Sequence, residues 1–146
     1  GTWVASLVQV DARTLLDDAL ASRPPAIELA DGLPSREMSV NVRADLMIPT
    51  VNLARWAAYQ AGSTAPTTAQ RLIDARTADV ITADEADALT QVWKSSLELQ
   101  SRRWMDHIHD QDATAWDMPA LQRSTYGAAA RLLSQVMSSV EARHAG

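Results

Sequence analysis

Polar side chains with the spacing of a single helix face occur between residues 40 and 75. Asn52, Arg55 and Tyr59 follow one another at intervals of three and four residues, which places them on one side of a helix. The planar, permanently charged guanidinium group of an arginine binds carboxylates and phosphates. This face is therefore the nearest feature to a polar binding site in the sequence, and it would suit an anionic group.

The sequence lacks the patterns that mark common catalytic sites. Its five glycines are scattered, whereas a phosphate-binding loop needs them clustered, and no GxSxG nucleophile elbow is present. The chain also has no cysteine, which excludes disulfides, thiolate metal sites and cysteine nucleophiles. Because no nucleophile–base pair can be assembled, the chain is predicted not to be an enzyme by itself.

Two groups of residues have side chains that bind metal ions in other proteins. His107 and His109 are two positions apart, so a helix points them to different sides, unlike the i, i+4 pair of a zinc helix. Asp84, Glu85 and Asp87 could hold a cation, or they could be the charged start of a helix, where carboxylates suit the helix dipole. The second interpretation is favoured because the segment TADE from residue 82 is a capping box. No metal site is predicted.

Aromatic and basic residues offer two further candidates. Arg102, Arg103 and Arg123 could form an anion-binding patch, although solvated arginines in ion pairs are the simpler interpretation. Tryptophans could line a cavity for a ring, although tryptophan at helical spacing commonly belongs to the core. The tryptophans concerned are Trp56, Trp93, Trp104 and Trp116.

Composition indicates an all-α protein. Of the 146 residues, 47% are hydrophobic, enough for one domain with a core, and the helix-favouring residues alanine, leucine and arginine abound. The formal net charge of −5 would repel a phosphate backbone, so no nucleic-acid partner is expected. No apolar run reaches the ~20 residues of a membrane span, and the first residues lack the features of a signal peptide. A cytoplasmic protein without a membrane partner is predicted.

Helical periodicity and capping signals predict an antiparallel bundle of about five to six helices, two of them long. The predicted elements are an arm or short strand at residues 3–10, helices at about 11–22 and 24–30, a loop to about 37, and helices at about 43–61, 68–76, 82–110 and 117–140. Pro49 predicts a first-turn proline or a kink, and Gly62 suits the C′ position. Thr67 or Thr68 is expected to cap the following helix.

Apolar residues at helical spacing define the predicted core. They are Leu15, Leu16, Ala19 and Leu20 in the first helix; Leu46, Met47, Val51, Leu53, Ala54, Ala57 and Ala58 in the central helix; Ala86, Leu89, Trp93, Leu97, Trp104 and Ile108 in the long helix; and Leu121, Ala129, Leu132, Leu133, Val136, Met137 and Val140 in the last. The small residues from Gly127 to Ala130 would let another helix approach closely.

The stretches NVRADLMIPTVNLARWAA at residues 41–58 and TAQRL at residues 68–72 resemble the nucleotidyltransferase substrate-binding domain family. The family pattern reads Asp-Leu-Lys-Arg-Gly-Gly-Leu, a proline two residues later, an Ala-Arg-x-x-Ala-Leu helix, and Thr-x-x-Arg-Leu. The matching residues are Pro49, Leu53, Ala54, Arg55, Ala57, Thr68, Arg71 and Leu72. Asn41 replaces the acid and Arg43 the lysine, so the polar pair is kept and the negative charge is lost.

The resemblance implies a helical C-terminal domain of a bacterial, cytoplasmic signal-transduction protein that also carries a nucleotidyltransferase domain, CBS domains and often a cyclic-nucleotide-binding domain. Residues 10–13 resemble the trailing Asp-x-Arg end of the nucleotidyltransferase domain. Residues 1–37 are therefore interpreted as a lead-in from that domain, and residues 38–146 as the bundle core of a chain cut from a larger protein. Nucleotide and magnesium would belong to the catalytic domain, and no cofactor is expected in this chain.

The first functional hypothesis is a non-catalytic accessory domain that binds or presents the nucleotidyl-acceptor substrate. Arg55 and Arg71 would contact an anion or partner, Thr68 would cap its helix, and Asn41 and Arg43 would complete the site. The partner would be the preceding nucleotidyltransferase domain. The alternative for both arginines is an intramolecular salt bridge, for which the candidate acids are Asp45, Asp74 and Glu98.

The second hypothesis is a helical dimerisation or docking module without a small-molecule ligand, with a homodimer as one possible assembly. A concave pocket with converging arginines would favour the first hypothesis. A contiguous apolar patch on the surface would favour the second.

Overall fold

The computed structural model describes residues 13–23, 29–30, 33–34, 40–105 and 119–144, and these form a helical bundle, as predicted. The helices are α1 at residues 13–21, α2 at Ile48–Ala61, α3 at Thr68–Thr77, α4 at Ala83–Met105 and α5 at Ala120–His144. The two longest, α4 and α5, have 23 and 25 residues. Within the described ranges, no helix is long and apolar enough to cross a membrane.

Two contacts show that α2 and α5 run in the same direction. Near the start of α5, Tyr126 Oη donates a hydrogen bond to Asp45 Oδ2 at 2.6 Å, in the turn that precedes α2. At the end of α5, the His144 ring meets the Trp56 ring edge to face, with centroids 4.8 Å apart. Trp56 lies in the second half of α2. The start of α5 is therefore near the start of α2, and the end of α5 is near the second half of α2, so the two helices are parallel.

The buried carboxylate of Glu85 joins the start of α4 to the end of α5, so these helices are antiparallel. Glu85 Oε2 accepts hydrogen bonds from Ser139 Oγ and Arg143 Nη1. Glu85 Oε1 accepts the Thr82 N–H at 3.0 Å, and Thr82 Oγ1 accepts the Glu85 N–H at 3.1 Å, which confirms the capping box. Burial opposes ionisation, but the hydrogen bonds from Arg143, Ser139 and Thr82 outweigh it and hold the pKa of Glu85 below its usual value.

The helix that carries the candidate site begins with a π-helical turn, Arg43–Met47. Asn41 Oδ1 accepts a backbone N–H three residues ahead, and Asp45 Oδ2 accepts the Asn41 N–H at 3.2 Å, so the two side chains cap this start reciprocally. The Ile48 N–H then bonds to the carbonyl oxygen of Arg43. Pro49 follows in the first turn of α2. Because proline has no N–H and crowds the carbonyl four residues earlier, the wider π-helical turn accommodates it.

The connection from α2 to α3 follows the predicted signals, with one correction. Gly62 ends α2 in the left-handed conformation, with φ 72° and ψ 21°, as expected for a C′ glycine. Thr67, and not Thr68, caps α3: its Oγ1 accepts the Gln70 N–H at 3.2 Å. Thr68 is the first helical residue, so its prediction as the cap is wrong by one position. Thr67 has the extended backbone, φ −107° and ψ 149°, that an N-cap residue adopts.

A short antiparallel ladder replaces part of the second predicted helix. Leu29–Ala30 pairs with Leu33–Pro34, so the helix prediction is wrong at Leu29–Ala30. Asp31 and Gly32 separate the two strands, and Asp-Gly is a dipeptide that two-residue hairpins favour. This turn signal outweighs the helix-compatible prolines before it. The ladder packs against α5.

The core lies where α1, α2, α3, α4 and α5 meet. Its buried residues agree only in part with the predicted apolar faces. Leu16 and Ala19 of α1 are buried, and Leu15 and Leu20 pack against the core, as predicted. The buried residues of α4 are Glu85, Ala86, Leu89, Val92, Ser96 and Leu99. Leu97, Trp104 and Leu121 are wrong predictions, because they are 45%, 75% and 77% exposed.

The exposed residues of α4 follow a different face from the one that meets α5. From Ala86 onward, successive buried positions are three or four residues apart, as on one helix face, and Leu97 belongs to the adjacent face. The predicted arm at 3–10, the predicted helix starts at residues 11 and 117, and the predicted core residue Ile108 lie outside the described residues. The proposed boundary at residue 37 stays a prediction.

Replacing Tyr126 with phenylalanine is expected to lower the free energy of unfolding by about 1–2 kcal/mol. The variant keeps the buried ring and removes the hydroxyl that donates to Asp45. Urea unfolding followed by circular dichroism measures the change. Ser124→Ala, at an exposed position of the same helix, should change the value by less than about 0.5 kcal/mol. Equal losses in the two variants would show that the hydrogen bond does not stabilise the bundle.

Candidate functional site

An open groove lies between α2 and α4. Its volume is about 580 Å³, within the range of small-molecule sites. The described residues that line it are Arg43, Met47, Ile48, Val51, Asn52, Arg55, Trp93 and Gln100. They comprise two guanidinium groups, two side-chain amides, one indole ring and three aliphatic side chains, and none of these residues is acidic. The groove thus offers both apolar contact and positive charge.

Helical periodicity assembles the groove from two elements. The six lining residues between positions 43 and 55 recur at the spacing of one helix face. Trp93 and Gln100 are seven residues apart on α4, about two turns, so they share a face as well. Because α4 runs antiparallel to α2, Trp93 lies toward the Arg55 end of the groove and Gln100 toward the Arg43 end.

The two arginines of the groove are not neutralised by the described part of the chain. Arg43 and Arg55 are exposed, and the ion pairs found among the described residues involve other arginines. Exposed guanidinium groups at a concave surface are suited to bind carboxylate or phosphate. The groove therefore carries two positive charges that an anionic ligand can use.

The acids considered as salt-bridge partners are occupied elsewhere. Asp45 accepts hydrogen bonds from Tyr126 and the Asn41 N–H, and Glu98 pairs with Arg102 at 3.3 Å. Asp74 accepts hydrogen bonds from the side chains of Ser63 at 2.6 Å and Gln70 at 2.9 Å, and these bonds lower the pKa of its carboxyl group. Within the described residues, the salt-bridge alternative is therefore not observed for Arg55.

Arg71 has a structural contact instead of a place in the groove. Its Nε donates a hydrogen bond to the carbonyl oxygen of Ala65 at 2.8 Å, which ties α3 to the loop before it. The salt-bridge alternative is not observed for Arg71 either, within the described ranges, because its partner is a backbone carbonyl. Arg71, Thr68 and Asn41 are not among the described lining residues.

Of the five predicted site residues, the structure thus brings Arg43 and Arg55 together and leaves the other three elsewhere. Asn52 joins them from the predicted polar face, whereas Tyr59 does not line the groove. The contact of any of these residues with a ligand remains a prediction.

The tryptophans separate into three environments. Trp56 is 1% exposed and belongs to the core, and Trp104 is at the surface. Trp93 is half-buried and lines the groove, so the predicted alternative of a cavity-lining tryptophan applies to this residue. Trp116 lies outside the described residues.

The described members of the other predicted charge clusters are not brought together as a site. Arg102 pairs with Glu98, Arg123 is buried, and the side chain of Arg103 is not described. Among the residues that the structure describes, no group of three histidines or carboxylates is arranged to hold a metal ion. Both His107 and His109 fall outside those residues.

Gln100 and the aliphatic residues Met47, Ile48 and Val51 were not identified from the sequence as part of a binding site. Gln100 Oε1 is buried and has no hydrogen-bond partner in the described part of the chain. The seven-residue interval between Trp93 and Gln100 was a detectable signal of a shared face. Which element that face meets depends on tertiary packing, so the sequence alone could not join it to Arg43 and Arg55.

A family model described as "Putative nucleotidyltransferase substrate binding domain" matches residues 9–136. The matched range contains every described residue that lines the groove. The chain belongs to this family, which confirms the resemblance found in the sequence. Comparisons with curated proteins and with solved structures gave no match.

Proposed function

We propose that this chain is a non-catalytic accessory domain of a nucleotidyltransferase and that it binds the nucleotidyl-acceptor substrate in the groove between α2 and α4. The observation that carries the proposal is the placement of Arg43 and Arg55 in one groove without ion-pair partners among the described residues. A concave surface with two available guanidinium groups favours an anionic acceptor. The family description supports a substrate-binding role.

The catalytic reaction would take place in a nucleotidyltransferase domain of the same protein, which would hold the nucleotide and magnesium. The contribution of this domain would be to position the acceptor, since holding two reactants together removes much of the entropic cost of their encounter. The bacterial, cytoplasmic and CBS-containing context of that protein is proposed on the family resemblance.

A thermal-shift screen of the chain against phosphorylated and carboxylated metabolites tests this function. A compound that binds the folded state raises the melting temperature by mass action. Arg55→Gln removes the charge of an exposed groove residue, so it is expected to weaken binding about tenfold, the effect of losing one charge-assisted hydrogen bond. Isothermal titration calorimetry gives the Kd values.

Arg131→Gln is the matched control, because Arg131 is an exposed arginine of α5 that does not line the groove. Its Kd should equal that of the wild type. The proposed function is contradicted if no anionic metabolite binds, or if Arg55→Gln and Arg131→Gln bind equally well.

An apolar surface favours docking as a second candidate function. Trp104 and Met105 at the end of α4 are 75% and 72% exposed, and Leu121 at the start of α5 is 77% exposed. Met105 lines the same depression as Gln122, the neighbour of Leu121. Exposed apolar clusters mark interaction surfaces.

Light scattering of the wild type and of Trp104→Ser would show whether this end of the bundle mediates a dimer. A wild-type monomer would exclude dimerisation.

A further inference from the structure

The two ends of the groove differ in chemistry. Asn52 lies one turn before Arg55 on α2, and Trp93 lies closer to the Arg55 end than Gln100 does because α4 is antiparallel to α2. These two residues offer an amide and an aromatic surface. The Arg43 end contains Gln100, a second amide. Met47, Ile48 and Val51 lie between the two ends along the first helix. A ligand that fills the groove therefore meets a ring-binding surface at one end and a cation at the other.

The Arg55 end suits a flat heteroaromatic ring. Indole rings stack on nucleobases, and a stacked pair of this kind contributes substantially to affinity and tolerates different bases. The guanidinium plane of Arg55 can also stack on a ring. The Asn52 amide provides both a donor and an acceptor, which matches the polar edge of a base.

The Arg43 end suits a phosphate group. Arg43 and Arg55 are twelve positions apart, which corresponds to at most about 18 Å along an α-helix. Both arginines line the groove, so a ring at Trp93 leaves room for a phosphate chain directed toward Arg43. The Gln100 amide adds an N–H donor at this end.

We propose that the groove binds a nucleotide, with its base between Trp93 and Arg55 and its phosphates directed toward Arg43. The ligand is an anion with a ring and a phosphate chain because the lining groups at the two ends match those two parts. This inference rests on the proposed function in that both use the same groove, and it names the chemical class of the bound molecule.

Calorimetric titration of the whole chain with ADP, adenosine and pyrophosphate tests the inference. ADP is expected to bind at least tenfold more tightly than either fragment, because only ADP reaches both ends. Arg43→Gln should weaken ADP about tenfold and leave adenosine unchanged, whereas Trp93→Leu should weaken both. Arg131→Gln should alter neither. Circular dichroism melting checks that each variant is folded, and Asn52→Leu is a second ring-end variant should Trp93→Leu unfold.

Three results would overturn the inference. The first is that ADP binds no more tightly than its fragments, the second that Arg43→Gln weakens adenosine as much as ADP, and the third that Trp93→Leu and Asn52→Leu both leave ADP binding unchanged. If ADP does not bind but another anionic metabolite binds through Arg55, the nucleotide assignment is wrong and the proposed function stands. If neither ADP nor any anionic metabolite binds, both are wrong.

Discussion

Glu85→Ala is expected to lower the free energy of unfolding by about 2–3 kcal/mol, because it removes a buried carboxylate that accepts several hydrogen bonds, while its partner Arg143 stays partly solvated. Glu85 is 3% exposed and accepts hydrogen bonds from Arg143, Ser139 and the Thr82 N–H. Its loss would leave the Arg143 guanidinium without this carboxylate and would remove half of the capping box of α4. Urea unfolding measures the change.

The neighbouring acid provides the control for Glu85. Asp84 is exposed in the same helical turn, so Asp84→Ala removes a first-turn carboxylate without disturbing the buried network. Its expected cost is below about 1 kcal/mol, from the helix dipole alone. A loss of less than about 1 kcal/mol in Glu85→Ala as well would show that this network does not hold α4 to α5.

The pH dependence of stability should reveal the same carboxylate. The pKa of Glu85 in the folded state is lower than the ordinary value of 4.5, so the folded state favours its ionised form. The resulting stabilisation is complete above the unfolded-state pKa and disappears as the pH falls through the folded-state pKa. Stability should therefore decline below about pH 4.5 in the wild type, and less steeply in Glu85→Gln. Parallel pH profiles would contradict this.

The double variant Arg43→Gln/Arg55→Gln is expected to weaken binding of ADP about 100-fold, equivalent to about 2.7 kcal/mol. Each arginine contributes about a tenfold factor through a charge-assisted hydrogen bond or a stacked contact. The two effects should add because the residues lie at opposite ends of the groove. Calorimetry of the double and single variants measures them.

Stability separates a loss of binding from a loss of folding. Both arginines are exposed, so the double variant should unfold within about 0.5 kcal/mol of the wild type. Arg71→Gln should show the opposite pattern, because Arg71 holds the Ala65 carbonyl and does not line the groove: reduced stability with unchanged affinity. Equal loss of affinity in Arg71→Gln would mean that the binding surface extends beyond the groove.

Local signals predicted much of this fold, because they depend on neighbours in the sequence. The Thr82–Glu85 capping box forms as expected, and Gly62 takes the left-handed conformation. Asn52 and Arg55 share a face because helical periodicity requires it. These features need no knowledge of tertiary packing.

Features that depend on which helix faces which neighbour were not predictable in this way. Leu97 and Trp104 are apolar and close to helical spacing, yet the face that meets the core runs through Val92 and Leu99. The link from Tyr126 to Asp45 spans 81 residues. The meeting of Trp93 with the arginine face depends on the same long-range arrangement of α2, α4 and α5.

Asn41 shows why its position in a family pattern does not by itself assign a role to a polar residue. Its position in the pattern suggested a site residue, but its side chain satisfies a backbone N–H at the start of the helix. A capping residue and a ligand-binding residue carry the same polar groups, so only the partner of the side chain distinguishes the two roles.

The most direct test of a ligand site between α2 and α4 is a nuclear magnetic resonance titration of the ¹⁵N-labelled chain with ADP. The indole N–H signal of Trp93 and the backbone signals of Asn52 and Arg55 should shift together and saturate at one Kd. The backbone signal of Arg131 should not move, because that exposed residue of α5 does not line the groove. Saturating shifts at Arg131 with none at Trp93 would place binding elsewhere and contradict the proposed site.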